Sequence, residues 1–131
     1  MRLPGRGFGK SGLLNSRSVD ESPKLPIEIT PAEVSELLKE GPPVRLIDVR
    51  EPAEHAICHI EGAALIPMQY IPARLQELDD PEKRLIVFCH HGVRSLSVAD
   101  WLRQKGVENC QSMSGGIDLW SVQIDPAVPR Y

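Results

Sequence analysis

Leu85-Ile86-Val87-Phe88-Cys89-His90-His91-Gly92-Val93-Arg94-Ser95 is the stretch that decides the fold. Its first four residues are apolar, and Ile86 and Val87 are β-branched, the composition of a strand buried on both faces. Beyond Cys89 the pattern changes to a short polar loop that turns at Gly92, and Ser95 stands as the expected N-cap of a helix reaching Lys105. That helix directs Val98, Ala99, Trp101 and Leu102 at a core and stops at Gly106. A strand, a tight loop and a helix start together aim backbone N–H groups inward, an anion-binding nest reinforced by the helix dipole. Cys89 sits at the base of this nest with four residues between it and Arg94. Helix starts and nearby cations favour a thiolate over a thiol, which makes Cys89 the candidate nucleophile.

Working outward, Val44 to Val49 reads as a second buried strand, with weaker strands at Ala64-Leu65-Ile66 and near Cys110 to Met113. Helical patterns lie between them, a short one around Pro52 to His55 and another from about Ile71 to Leu78. Upstream, Thr30-Pro31-Ala32-Glu33 combines a hydroxyl cap, proline at the first helical position and a glutamate placed to reach back. The helix it starts runs to Gly41, with Val34, Leu37 and Leu38 as its apolar face. Strands alternating with helices imply an α/β fold, a mostly parallel central sheet with helices on both faces. Ligands bind such sheets beyond the carboxyl ends of the strands, where Asp48-Val49-Arg50-Glu51 and the Cys89 to Ser95 loop both fall.

Composition bounds what the site can serve. A chain of 131 residues with 15 Lys+Arg against 18 Asp+Glu, net charge −3, suits one domain with a core of its own. The acidic excess leaves no electrostatic footprint for nucleic acid, and no apolar run approaches the ~18 residues of a membrane span. Cys58, Cys89 and Cys110 make an odd count, read as free thiols in a reducing, cytoplasmic setting. Residues 1–26 carry Arg2, Arg6, Lys10 and Arg17 with several glycines and serines and no acid before Asp20, so they are expected to form a flexible tail ahead of a domain over 27–131. The same pattern leaves organelle targeting as the alternative location.

Several segments together resemble the single-domain rhodanese family, sulfurtransferases whose active-site loop runs from Cys to Arg over the spacing of Cys89 to Arg94. Asp48-Val49-Arg50-Glu51, His59-Ile60-Glu61-Gly62-Ala63 and Gly115-Gly116-Ile117-Asp118-Leu119-Trp120 resemble further family motifs in order, over about 27–124. Cys58 and Glu61 depart from it, where Gly and Pro are usual. The resemblance implies that Cys89 takes sulfane sulfur from a donor such as thiosulfate or a persulfide. It would carry that sulfur as a persulfide cradled by the backbone of His90, His91, Gly92, Val93, Arg94 and Ser95, and pass it to a thiol, cyanide-like or protein acceptor. The exchange is ping-pong, and no metal or organic cofactor is called for. Arg94 is expected to steady the loop by pairing with Asp48, and Arg50 to face the mouth and steer an anionic donor. His59 is expected to be packed at a turn, and Trp120 to cover the core beside the site.

Three rival readings compete with sulfur transfer. A cysteine-dependent phosphatase uses the same physics, but the tyrosine-phosphatase loop is one residue longer and no acid loop is identifiable. A zinc site from His55, Cys58, His59, Cys89, His90 and His91 fails on spacing, since adjacent residues at a strand end cannot all face one ion. A non-catalytic interaction or regulatory module is the alternative that the presence of both Cys89 and Arg94 argues against. Cys58 or Cys110 could also act as a resolving thiol for Cys89, given proximity.

Overall fold

A computed structural model describes residues 25–131. The tail read over residues 1–26 therefore falls, up to residue 24, outside the described residues. Five strands, β1 (Glu28–Ile29), β2 (Val44–Asp48), β3 (Ala64–Leu65), β4 (Arg84–Phe88) and β5 (Cys110–Met113), form one sheet in the order β1-β5-β4-β2-β3. Every pairing is parallel, with Val44 opposite Arg84 and Asp48 opposite Phe88 on the central pair. Among the described residues five α-helices cover it: α1 (Pro31–Glu40), α2 (Pro52–Ile57), α3 (Leu75–Leu78), α4 (Val93–Gln104) and α5 (Gly116–Gln123). The expected α/β architecture is thus the observed one.

The side-chain period of two divides the core between the two faces of the sheet. Ile47, Leu85, Val87 and Cys89 point to one side and meet Val98, Ala99 and Leu102 of α4 together with Ile71 and Leu78. Leu46, Ile86 and Phe88 point to the other and meet Val34 of α1 and Ile117 and Trp120 of α5. Each fully buried side chain of this size contributes about 1.5–3 kcal/mol. Two-sided burial of β4 also fixes its register, and with it the position of Cys89 one residue past the strand end.

The start of α1 is built as its sequence implies. Thr30 Oγ1 accepts the Glu33 N–H at 3.1 Å, and the Glu33 carboxylate accepts the Thr30 N–H at 2.9 Å. Leu38 departs from expectation, being 48% exposed. α1 rests on α5 through Val34, which is buried, and Leu37, which is partly buried, one residue round the helix from Leu38. The single helix expected over 71–78 is instead two 3-10 turns, Met68–Tyr70 and Pro72–Arg74, followed by α3. Pro72 has no N–H to return to the preceding turn, so each short segment restarts the hydrogen bonding. Trp101 is only partly buried, with the Lys105 ammonium 5.5 Å from its ring centre. β1 and the full extent of α5 carried no pattern strong enough to be read beforehand.

Candidate active site

Strand β4 delivers Cys89 to the carboxyl edge of the sheet, and the next three residues turn the chain into α4. Gly92 occupies the cap position of α4 with φ +106°, a left-handed geometry that L side chains rarely adopt. Ser95 is therefore not the cap; it lies in the first helical turn, buried and facing inward. Two N–H groups converge on the Cys89 sulfur, that of Gly92 at 3.1 Å and that of Ser95 at 3.3 Å. The Ser95 hydroxyl stands 3.5 Å from the same sulfur and is itself held by Ser112 Oγ on β5 at 2.7 Å. Val93 and Arg94, the first residues of α4, have N–H groups with no intrahelical partner by helix geometry. The expected nest is present, with the sulfur at its base.

The loop is seated from below by α5. Ile117 donates its N–H to the Cys89 carbonyl at 2.9 Å, and Asp118 donates to that of His90 at 3.1 Å. Such an approach needs Gly116, whose φ is +61° and where a Cβ would lie 2.4 Å from both of those carbonyl oxygens. The Gly115-Gly116 pair noticed in the sequence thus exists so that a helix start can press against the backbone of the sulfur loop.

The charged residues are wired differently from expectation. Arg94 does not pair with Asp48; its Nη1 and Nη2 donate to the two carboxylate oxygens of Glu54 on α2, at 2.7 and 2.9 Å. Arg50 does not face the mouth; it is 0% exposed, and donates from Nε and Nη2 to Asp48 at 2.9 and 2.7 Å. Arg50 lies in the bend just past β2, where its backbone N–H closes onto Asp48 Oδ1 at 3.0 Å, and its side chain folds back onto the same carboxylate. Burial works against the Arg50 charge, and the hydrogen bonds it donates to Asp48 and Tyr131, with their charges, more than offset it, raising its pKa. The Arg94 hydrogen bonds hold Glu54 down to about 2, against partial burial, with the Glu51 backbone and Tyr131 assisting.

His90 and His91 follow the sulfur along the loop, their rings 3.8 Å apart, and Val93 is exposed on the rim. Burial, then the charge of His91, lowers the His90 pKa. Tyr131 stacks on the other face of His90, with ring centres 3.8 Å apart and planes 5° from parallel. Among the described residues one trio, His90, His91 and Asp118, brings potential metal ligands within 4.8 Å of one another. Both Asp118 oxygens, however, already accept from Arg130 at 2.8 and 3.1 Å. His59 is exposed rather than packed, its ring stacked on that of His55 with centres 4.8 Å apart and planes 17° from parallel, while Trp120 is buried as expected.

Neither other thiol is placed to resolve Cys89. Cys58 packs on the opposite face of the sheet. Cys110 lies opposite Leu85, four residues short of Cys89 along β4, a separation of about 13 Å at strand rise and beyond disulfide reach. Burial also pushes the Cys110 thiol up to about 12.

Glu54, Ser112 and Tyr131 belong to the site and were not singled out from the sequence. Glu51-Pro52-Ala53-Glu54 does repeat the Thr30-Pro31-Ala32-Glu33 pattern of a capped helix start, and Glu54 indeed reaches back to the Glu51 N–H at 3.0 Å. Nothing local marks Ser112 or Tyr131, whose roles come from strand pairing and from a long return of the chain.

A thiol at the end of a parallel strand, at the base of an amide nest closed by a helix start, defines a class of α/β domain with a cysteine-based anion-binding loop. Its closed loop of four residues between Cys89 and Arg94 narrows the class further. The rhodanese-like domain model matches residues 30–123, and the chain belongs to that family. It is 36% identical over 90 residues to an Arabidopsis thaliana rhodanese-like/PpiC domain-containing protein 12, chloroplastic, covering 66% of this chain but only 30% of that protein. It is 39% identical over 93 residues to a Haemophilus influenzae thiosulfate sulfurtransferase GlpE, covering 71% of this chain and 86% of that one. A crystal structure of a rhodanese-like domain protein from Staphylococcus aureus superposes with a TM-score of 0.67 at 32% identity, over 79% of this chain and 97% of that one.

Proposed function

We propose that this domain is a sulfurtransferase that carries sulfane sulfur on Cys89. The observation that carries the reading is the convergence of the Gly92 and Ser95 N–H groups on a single sulfur atom. That arrangement stabilises negative charge on sulfur without any side-chain cation in contact with it. Similarity to a protein named a thiosulfate sulfurtransferase, over most of that protein's length, supports the same chemistry.

In the first half-reaction the Cys89 thiolate attacks the outer sulfur of thiosulfate or of a persulfide donor. The donor's S–S bond breaks, and sulfite or a thiolate leaves with the electron pair. Cys89 then carries a persulfide whose terminal sulfur is anionic, and the free N–H groups of Val93 and Arg94 at the start of α4 are the ones positioned to receive it. In the second half-reaction a thiolate, cyanide or protein acceptor attacks that terminal sulfur, and the bonding pair returns to Cys89. His90, His91 and Val93 line the approach, Arg94 steadies the loop through Glu54, and the Asp48–Arg50 pair supports the floor from inside. No step calls on a metal or an organic cofactor. The three free cysteines suit a cytoplasmic, reducing setting, and no helix among the described residues is long and apolar enough to cross a membrane.

Incubation with thiosulfate, or with a low-molecular-weight persulfide, is expected to add one sulfur atom to the intact mass. Cyanide should then release thiocyanate and restore the original mass, while Cys89→Ser does neither. Wild-type protein that gains no sulfur from either donor would refute the reading in favour of a non-catalytic module.

A further inference from the structure

After α5 the chain doubles back across the site. Ser121 Oγ donates to the Val128 carbonyl at 2.5 Å, Val128 is buried in the core face shared with Trp120, and Arg130 grips Asp118. These anchors bring Tyr131 to a position that no step of the sulfur exchange uses. Its ring lies flat on His90, the residue that follows Cys89. Its hydroxyl donates to Glu54 Oε2 at 2.8 Å and accepts from Arg50 Nη1 at 2.9 Å. One side chain thus joins three parts of the site: the loop, the Glu54–Arg94 pair and the buried Asp48–Arg50 pair. Desolvation, opposed by Arg50 and reinforced by Glu54, pushes the Tyr131 phenol up to about 12, so the hydroxyl keeps its proton at neutral pH.

We infer that Tyr131 is a positioning residue for sulfur transfer, holding the loop through its stack on His90 and holding Arg94 through its hydrogen bond to Glu54. The inference rests on the sulfurtransferase reading and adds a residue to it. Support from α5 reaches the loop through carbonyls below Cys89 and His90, which leaves the His90 ring and the outer side of the loop to be fixed by something else. Arg94 and Glu54 side chains keep 35% and 20% exposure, and the Glu51 N–H holds only Oε1 of the carboxylate, which leaves Oε2, the oxygen facing Arg94 Nη2, to be anchored from elsewhere. Tyr131 supplies both restraints, and Arg50, itself immobile, fixes Tyr131 in turn. Because the same loop serves loading and discharge, loosening it slows both half-reactions. Donor and acceptor do not bind to Tyr131, so the loss falls on the rate constants at saturation and leaves KM nearly unchanged.

The test uses the full chain as wild type, Tyr131→Phe and Tyr131→Ala. Single-turnover loading from thiosulfate and discharge to cyanide are measured over donor and acceptor concentration, well below each variant's melting temperature. NMR of the His90 ring protons reports the stack directly, because a parallel aromatic ring shifts them upfield. Displacements of even an ångström in an active site cost large factors in rate, so Tyr131→Ala is expected to slow both half-reactions about tenfold at saturation and to abolish the ring-current shift. Tyr131→Phe keeps the shift and loses only the hydroxyl bridge, for a loss of about threefold by the same reasoning. A folded Tyr131→Ala with wild-type rates, or one in which only KM moves, overturns the inference. Should the alanine variant not fold, wild-type rates in both half-reactions of Tyr131→Phe overturn it. A wild type that never gains sulfur refutes the sulfurtransferase reading and this inference together, whereas loading of wild type and Tyr131→Ala at equal speed refutes only the inference.

Discussion

Replacing Asp48 by Asn isolates the energetic role of the buried arginine beneath the site. Asp48 accepts three hydrogen bonds from Arg50: the backbone N–H at 3.0 Å and Nε at 2.9 Å on Oδ1, and Nη2 at 2.7 Å on Oδ2. An asparagine with its oxygen at the Oδ1 position keeps the first two, but sets an amide NH2 against Nη2, donor facing donor. Arg50 is 0% exposed, so no water covers the loss, and an arginine does not shed its proton to escape it. Breaking a buried pair at one end costs about 3–5 kcal/mol. The remaining neutral partners, the Cys58 carbonyl at 2.7 Å and Tyr131 at 2.9 Å, place the expected loss at the lower end, about 3 kcal/mol by the same scale. For a domain of this size that is a fall in melting temperature on the order of 12–24 °C. Urea unfolding followed by circular dichroism measures it, alongside the Asp48→Leu/Arg50→Met double variant. The double variant removes both charges and is expected to be more stable than Asp48→Asn. Loss of less than about 1 kcal/mol in Asp48→Asn, within the range of an exposed ion pair, would refute the reasoning.

Gly116→Ala is expected to displace the loop, because its methyl meets the Cys89 and His90 carbonyl oxygens at 2.4 Å with φ at +61°; sulfur loading falls at least tenfold by the misplacement argument, read by intact mass against time. Ser95→Ala leaves the buried Ser112 hydroxyl without its 2.7 Å partner and costs about 1–3 kcal/mol in chemical denaturation, while Ser95→Ala/Ser112→Ala together cost less than the sum of the two singles. Glu54 has its pKa depressed in the folded state from 4.5 to about 2, so its contribution to stability is present above the higher value and is lost as pH falls between the two. Melting temperature followed from pH 7 downward is therefore expected to fall less steeply over that window in Glu54→Gln than in wild type. Mild oxidation is expected to leave Cys89, Cys58 and Cys110 without an internal disulfide, checked by mass spectrometry of alkylated peptides.

The elements that carry strong local signals were legible in the sequence. β4 and α4 declare themselves through an apolar run, a glycine turn and helical spacing, and α1 through its capping box. What escaped the sequence depended on partners far along the chain. The pairing of Arg94 with Glu54 spans 40 residues and that of Tyr131 with Glu54 spans 77, and neither is encoded in any spacing. Assigning Arg50 to the mouth failed because composition favours an exposed arginine, whereas the bend after β2 folds it back onto a buried carboxylate. Ser95 was placed correctly at the helix start, but the left-handed turn took the cap position for Gly92 and freed the serine N–H to meet sulfur.

Cys89 is 1% exposed. Under the sulfur-carrier proposal, an added sulfur would extend the side chain by one S–S bond, about 2.05 Å, toward the free N–H groups at the start of α4. The empty and loaded forms therefore offer different profiles to anything arriving from outside. A bulky electrophile finds the resting thiol recessed below the loop, and only a reagent with a slender, projecting sulfur reaches it. On that proposal the terminal sulfur rests against the first turn of α4, so an acceptor too must reach into the nest to collect it. Depth would then ask the same of both partners: a slender reacting atom on the donor and on the acceptor alike.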